Sequence, residues 1–359
     1  MVSQVAEAPA DSSAGRPADR RAGVAWAVRV RQFVMATLSV AMTLLIICVA
    51  TFGLMQLVPG GPLAALGGSH GKASHQQIQL LTHEFLLNKP AYLQFWAWLR
   101  SSLQGHFGYS LVSGSPVAQL IQARILPSVE LFVAIASVSV AIAWVLGLWL
   151  AKHEGGWVDR LVLSVTGVAQ GIPAFWIGVL IIYVLVKTGG PSGPILPIAG
   201  SESYQSSGIA LGDLFSHLIL PTFVGATVVT SYYIRVVRDL AVDALQDDYV
   251  HVARAKGLSE MRVVNMHVGK NIIGPLLGLM GADLPSILTG LVAVEEIFSW
   301  PGLGQLLASS SARQDYPVVL AITVISGAIA IVSMRLSRLL ADWIGTGRRE
   351  VLSARTGGQ

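Results

Sequence analysis

The chain has 359 residues, 53% of them hydrophobic and only 12% charged, with a mean hydropathy of +0.62. Soluble domains carry about 25% charged residues, so this composition excludes an ordinary soluble protein and identifies an integral membrane protein. The formal net charge of +4 is no sign of nucleic-acid binding, because the placement of the basic residues follows membrane topology instead.

Residues 1–32 are rich in Ala, Ser, Asp and Arg and read as a disordered cytoplasmic tail. Arg29 and Arg31 lead into an apolar run of about 25 residues, longer than the roughly 7–15 of a signal-peptide core, which predicts a retained first span near 33–57. The single cysteine, Cys48, lies in that span and reads as a small buried apolar side chain. Residues 58–127 contain turn chemistry (Pro59-Gly60-Gly61-Pro62, Gly67-Gly68) and an amphipathic stretch around Gln76–Leu103, predicting an external cap of short helices. His70, His75, His83 and His106 are scattered there without metal-ligand spacing. The uncharged run 101–123 is broken by Gly, Ser, Gln and His and is rejected as a span.

Further spans are predicted near 129–151, 161–186, 218–236, 273–294 and 317–338, each long enough for the roughly 20 apolar residues a bilayer demands. A Gly-, Pro- and Ser-rich outer loop covers 188–216, and a second tail covers 346–359. Six of the 24 Lys and Arg (Lys72, Lys89, Arg100, Arg124, Lys187, Arg313) fall in alternate loops on one side. The other 18 flank the opposite side, which places both termini in the cytoplasm. The fold class is therefore all-α, with six transmembrane helices in one domain, 33–345.

The inner segment 236–272 leads into the most charge-dense long insert between hydrophobic segments, Asp247 to Pro275. Val236 to Lys256 carries no Gly or Pro and suits a helix. Gly257 stands where a helix end favours positive φ, and Ser259 with Glu260 suits the start of a second helix. Arg254 and Lys256 complement the dipole at the first helix's end. Within the spans, Pro173 predicts a kink and Pro285 a break in span five. Phe175 and Trp176 either line a pathway or face lipid. Asp283, Glu295 and Glu296 place charge where it costs insertion energy, as a pathway wall or gate, or as an inter-subunit structural pair.

Several motifs now line up. Asp248-Tyr249-Val250-x-x-Ala253-Arg254-Ala255-Lys256-Gly257-Leu258-Ser259 resembles the signature of the dipeptide, oligopeptide and nickel ABC importer permeases. Leu57 to Pro62, Gln104 to Ser110 with Pro116-Val117, Ile172 to Trp176, His217 to Pro221, Glu295 to Gly304 and Asp315-Tyr316-Pro317 resemble further family blocks, in order, over about 33–345. His251 and Val252 replace the Glu-Ala of the broader signature, which peptide-type permeases also commonly lack. Met334-Arg335-Leu336-Ser337-Arg338 stands in place of a family Asn-Leu-x-x-Asp.

The resemblance implies a type I importer fold in the bacterial cytoplasmic membrane. It implies a second, different permease subunit, two ABC ATPase subunits carrying ATP and Mg, and an extracytoplasmic substrate-binding protein. It also implies that Tyr249, Ala253, Arg254, Ala255, Lys256, Gly257, Leu258 and Ser259 form the corner that meets the ATPase. Peptides are the expected cargo, with nickel, glutathione and other small solutes as alternatives. The sequence itself carries no G-x-x-x-x-G-K-[ST], nucleophile elbow or HExxH, so no cofactor is expected on this chain. An ion-gradient-driven transporter is the alternative of another class, but only Asp283 lies deep in a span and no inverted repeat is evident.

Overall fold

The computed structural model describes residues 17–57, 88–189, 196–201 and 211–356, and these form ten principal helices with no β-strand among them. In chain order they are α1 (Pro17–Gln56), α2 (Ala91–Leu103), α3 (Val117–Lys152), α4 (Trp157–Gly171), α5 (Ala174–Thr188), α6 (Leu211–Leu245), α7 (Asp248–Ala255), α8 (Gly269–Ile297), α9 (Leu303–Ala312) and α10 (Tyr316–Thr356). A short turn, Glu260–Arg262, and a π-helical stretch, Val263–Val268, run directly into α8. Five helical segments are long and apolar enough to cross a membrane, and the bent pair α4–α5 supplies a sixth span.

Several boundaries differ from expectation, each for a physical reason. Helix α1 starts at Pro17, not near 33, because proline suits a first helical position and no further proline follows before the span. Its 40 residues reach about 60 Å, twice the roughly 30 Å hydrocarbon core, so it projects beyond the bilayer. Likewise α10 continues to Thr356, through most of the predicted tail 346–359. Helix α3 begins at Val117, taking Pro127 into its interior. The third span is not kinked but broken: α4 and α5 meet at 91° across an extended Ile172 and Pro173. Pro285 breaks nothing, since α8 runs through both Pro275 and Pro285. The helix predicted over 236–256 is split, because Asp247 takes an extended conformation between α6 and α7. The expected motifs at 58–62 and Gly67-Gly68, the histidines 70, 75 and 83, and the stretch 76–87 lie outside the described residues.

Inside a bilayer, apolar surface gains little from meeting apolar surface, so close backbone approach and polar pins decide packing. Helices α3 and α6 meet along glycine. A Cβ on Gly147 would lie 2.8 Å from Val237 Cβ, and one on Gly225 would collide with Ile135. Helix α4 is pinned to α6 by charge. Arg238 donates Nη2 to Asp159 Oδ2 at 2.8 Å and Nε to Oδ1 at 3.2 Å, and Asp159 is 1% exposed. One turn further on, Arg235 donates to the Leu163 carbonyl and to Thr166 Oγ1. The inner core joins the ends of α3 (Leu148, Leu150) and α6 (Val237, Ala241) to α7 and the π turn (Val250, Ala253, Val264).

Candidate functional site

Three polar places are built on this frame: an inner corner, a mid-depth cavity and an outer cap. The corner forms where α7 ends. Gly257 adopts φ +77°, its N–H bonds the Arg254 carbonyl at 2.9 Å, and the Leu258 N–H bonds the Ala253 carbonyl at 3.4 Å. This paired 5→2 and 6→1 bonding is a Schellman ending, which calls for glycine at the left-handed position. Leu258 folds back onto the core cluster that contains Ala253 and Val250. Ser259 is extended and closes the next turn with its carbonyl, which accepts from Arg262 N–H at 2.9 Å and Val263 N–H at 3.0 Å; its hydroxyl makes no capping bond.

The corner therefore has two faces. Val250 and Ala253 are buried, with Tyr249 half-buried beside them, and they root it in the core. His251, Val252, Arg254, Ala255, Lys256 and Ser259 are exposed. Arg254 and Glu260 join across the turn as a fork, Nη2 to Oε1 at 2.6 Å and Nε to Oε2 at 3.2 Å. That pair holds the bend from outside. Sequence reasoning left Arg254 open to an outside partner and gave Glu260 only a helix-start role; the turn is what brings the two together.

The cavity measures about 470 Å³ and lies against the α4–α5 break. Ile172, Pro173 and Ala174 form one wall, and Tyr232, Tyr233 and Asp283 supply polar groups opposite. Asp283 is the middle residue of the 29-residue α8, and Tyr233 Oη donates to its Oδ2 at 3.2 Å. Of the residues singled out for a pathway, Pro173 and Asp283 thus share one space. Phe175 and Trp176 are 45% and 62% exposed in this chain and are not part of its wall.

Glu295 and Glu296 also stand apart from the cavity, and from each other. Glu296 is exposed. Glu295 is fully buried, and its carboxylate accepts from Ser128 Oγ at 2.6 Å, Gly304 N–H at 2.6 Å and Gln305 N–H at 3.1 Å. The Ser128 hydroxyl in turn accepts from Leu303 N–H at 2.7 Å. These are the unpaired N–H groups of the first turn of α9, so Glu295 and Ser128 together cap that helix. A Cβ on Gly302 would overlap the Glu295 carboxyl group, and one on Gly304 would lie 2.6 Å from Val292 Cα. The glycines of the outer motif are therefore the space the carboxylate occupies. Alongside, Trp300 Nε1 donates to the Pro127 carbonyl at 2.8 Å, and Asp315 accepts from Ser110 Oγ and from Leu111 N–H. Burial pushes the Asp315 carboxyl up, and the Ser110 and Leu111 hydrogen bonds pull it partly back. Sequence reasoning missed Ser128, Asp159, Arg238 and the Ser110–Asp315 tie, whose partners lie far apart in the chain.

Helical spans, a broken helix facing a mid-depth cavity and a rigid inner corner are the parts of a membrane transport subunit. Residues 143–346 match the family described as binding-protein-dependent transport system inner membrane component, and residues 29–131 match its N-terminal module. The chain belongs to this family of ABC importer permeases and is a multi-pass protein of the bacterial cytoplasmic membrane. It is 35% identical over 301 residues to the oligopeptide transport system permease protein AppB of Bacillus subtilis (strain 168), covering 83% of this chain and 92% of that one. It is 36% identical over 279 residues to the glutathione transport system permease protein GsiC of Salmonella typhimurium (strain LT2), covering 77% and 85%. The GsiC protein of Escherichia coli (strain K12) is 35% identical over 278 residues, with the same coverage. Membership brings with it an external binding protein and an ATPase as partners of the assembled importer.

Proposed function

We propose that this chain is the non-catalytic membrane subunit of an ATP-driven importer that receives di- or oligopeptides from an external binding protein and releases them into the cytoplasm. A different permease chain completes the channel, and two ATPase subunits, carrying ATP and Mg, dock on the corner 248–259. The observation that carries this reading is the two-faced corner. A short helix rooted in the core by Val250, Ala253 and Leu258, with a polar front at His251, Arg254 and Lys256, moves as one body with α3, α6 and α8. Peptide cargo is supported by the likeness to an oligopeptide permease, and glutathione is the second reading, favoured by the GsiC relatives.

Co-purification tests the assembly: ATPase subunits are expected to come down with the chain, and ATP turnover is expected to require them. Gly257→Val tests the corner. A residue with a Cβ at φ +77° pays about 1–2 kcal/mol in backbone strain, and no neighbour lies within 4 Å to add a clash. The variant is expected to assemble but to uncouple ATP hydrolysis from uptake. Wild-type transport per ATP hydrolysed would remove the coupling role.

A further inference from the structure

The mid-depth cavity holds a carboxylate whose role the membrane frame alone does not account for. Asp283 sits half-buried at the centre of α8, where an ionised group persists only with water or a counter-charge. Among the described residues no Lys or Arg lies within ion-pair distance of it. Tyr233 donates a hydrogen bond to it, Tyr232 lies in hydrogen-bonding reach as well, and the two phenol rings stand edge-on with centroids 5.1 Å apart. The remaining wall is largely aliphatic, with Ile135, Ile287 and Leu291 among its residues, and Gln170 and Ser286 are its other polar side chains, both uncharged. A volume of about 470 Å³ falls in the range of about 300–1,000 Å³ that houses small ligands.

The chemistry of this space selects a cation with N–H donors and an apolar body. No group of three or more potential metal ligands occurs among the described residues, so a lone carboxylate beside two phenol rings is poorly made for a metal ion. It is well made for an ammonium group, which donates a charge-assisted hydrogen bond to the carboxylate and makes a favourable electrostatic contact with aromatic faces. Aliphatic walls accept varied side chains without reading them. A terminal ammonium is the feature that peptides of different sequence share. Resting on the peptide reading above, we infer that Asp283, oriented by Tyr233, is the specificity residue of the permease cavity and receives the N-terminal ammonium of the peptide in transit.

The test uses the complete importer in proteoliposomes with its binding protein, comparing uptake of trialanine and N-acetyl-trialanine. The same binding protein serves every variant, so a changed ratio between the two probes comes from the permease. Asp283→Asn is expected to lower the preference for the free amine on the order of tenfold, the worth of a charge-assisted hydrogen bond. Asp283→Glu is expected to retain the preference, and Tyr233→Phe to weaken it by a smaller factor. An unchanged ratio in Asp283→Asn overturns the inference. So does equal loss of both probes in the Asn and Glu variants with loss of co-purifying subunits, which marks a structural pair with the second permease chain. If the wild-type importer takes up neither probe, the peptide reading itself fails, and this inference falls with it.

Discussion

Glu295 shows how far a residue's chemistry depends on what the fold brings to it. In the chain it is one of two adjacent carboxylates near the end of a span; in the fold it closes the first turn of α9 together with Ser128. Removing it leaves three hydrogen-bond donors buried, each at roughly 1–3 kcal/mol. Glu295→Ala is therefore expected to destabilise the outer end of α8 and α9. The readout is a lowered thermal midpoint of the detergent-solubilised protein with faster proteolysis between 298 and 315. Glu295→Gln, which keeps an acceptor oxygen, is expected to lose less. Equal midpoints for wild type and Glu295→Ala would show that the cap is dispensable. Glu296, exposed one position later, is expected to tolerate glutamine with no change in midpoint.

At the scale of elements, the spans were legible and the breaks were not. Uncharged runs such as 131–151 and 316–334 mark their helices because a bilayer admits little else. Proline did not announce its effect in the same way. Pro127, Pro221, Pro275 and Pro285 all sit inside continuous helices, whereas Pro173 lies at a 91° break. A proline cancels only the bond to the carbonyl four residues before it, so a helix can run on through one, whereas the extended backbone of Ile172 ends α4 ahead of Pro173. The inner corner was the most legible part of the candidate site, because Gly257 and its neighbours act through local backbone geometry. The cavity and the outer cap were the least, because Tyr233 and Asp283 lie on separate helices, as do Ser128 and Glu295. The clamp of α4 on α6 makes a further test. Asp159→Asn removes the buried one of Arg238's three carboxylate partners, leaving Asp239 and Glu154, and is expected to cost about 1.5–3 kcal/mol, read as a lowered thermal midpoint. A paired Asp159→Leu, Arg238→Met variant is expected to recover much of that loss, since it strands no charge. Recovery of nothing by the pair would mean that the charges themselves, not their mutual satisfaction, hold α4.

Across the whole molecule, the inner core ties corner, π turn and α8 into one continuous body that runs from the inner corner toward the cavity. The π turn at Val263–Val268 has a consequence for length variation along this body. A π segment fits one residue more into its winding than an α-helix does, so it works as a phase correction between two helices with fixed faces. Deleting Asn265, an exposed residue inside it, is expected to relax the segment to α-helix and leave Ile272, Leu276 and Gly281 facing their partners. Deleting an exposed residue about four turns later, such as Leu279, turns everything beyond it by about 100° and carries Asp283 away from Tyr233. The first deletion is expected to preserve folded protein in a fluorescence size-exclusion assay and the second to abolish it, so the chain holds its tolerance for a missing residue at one place on the axis.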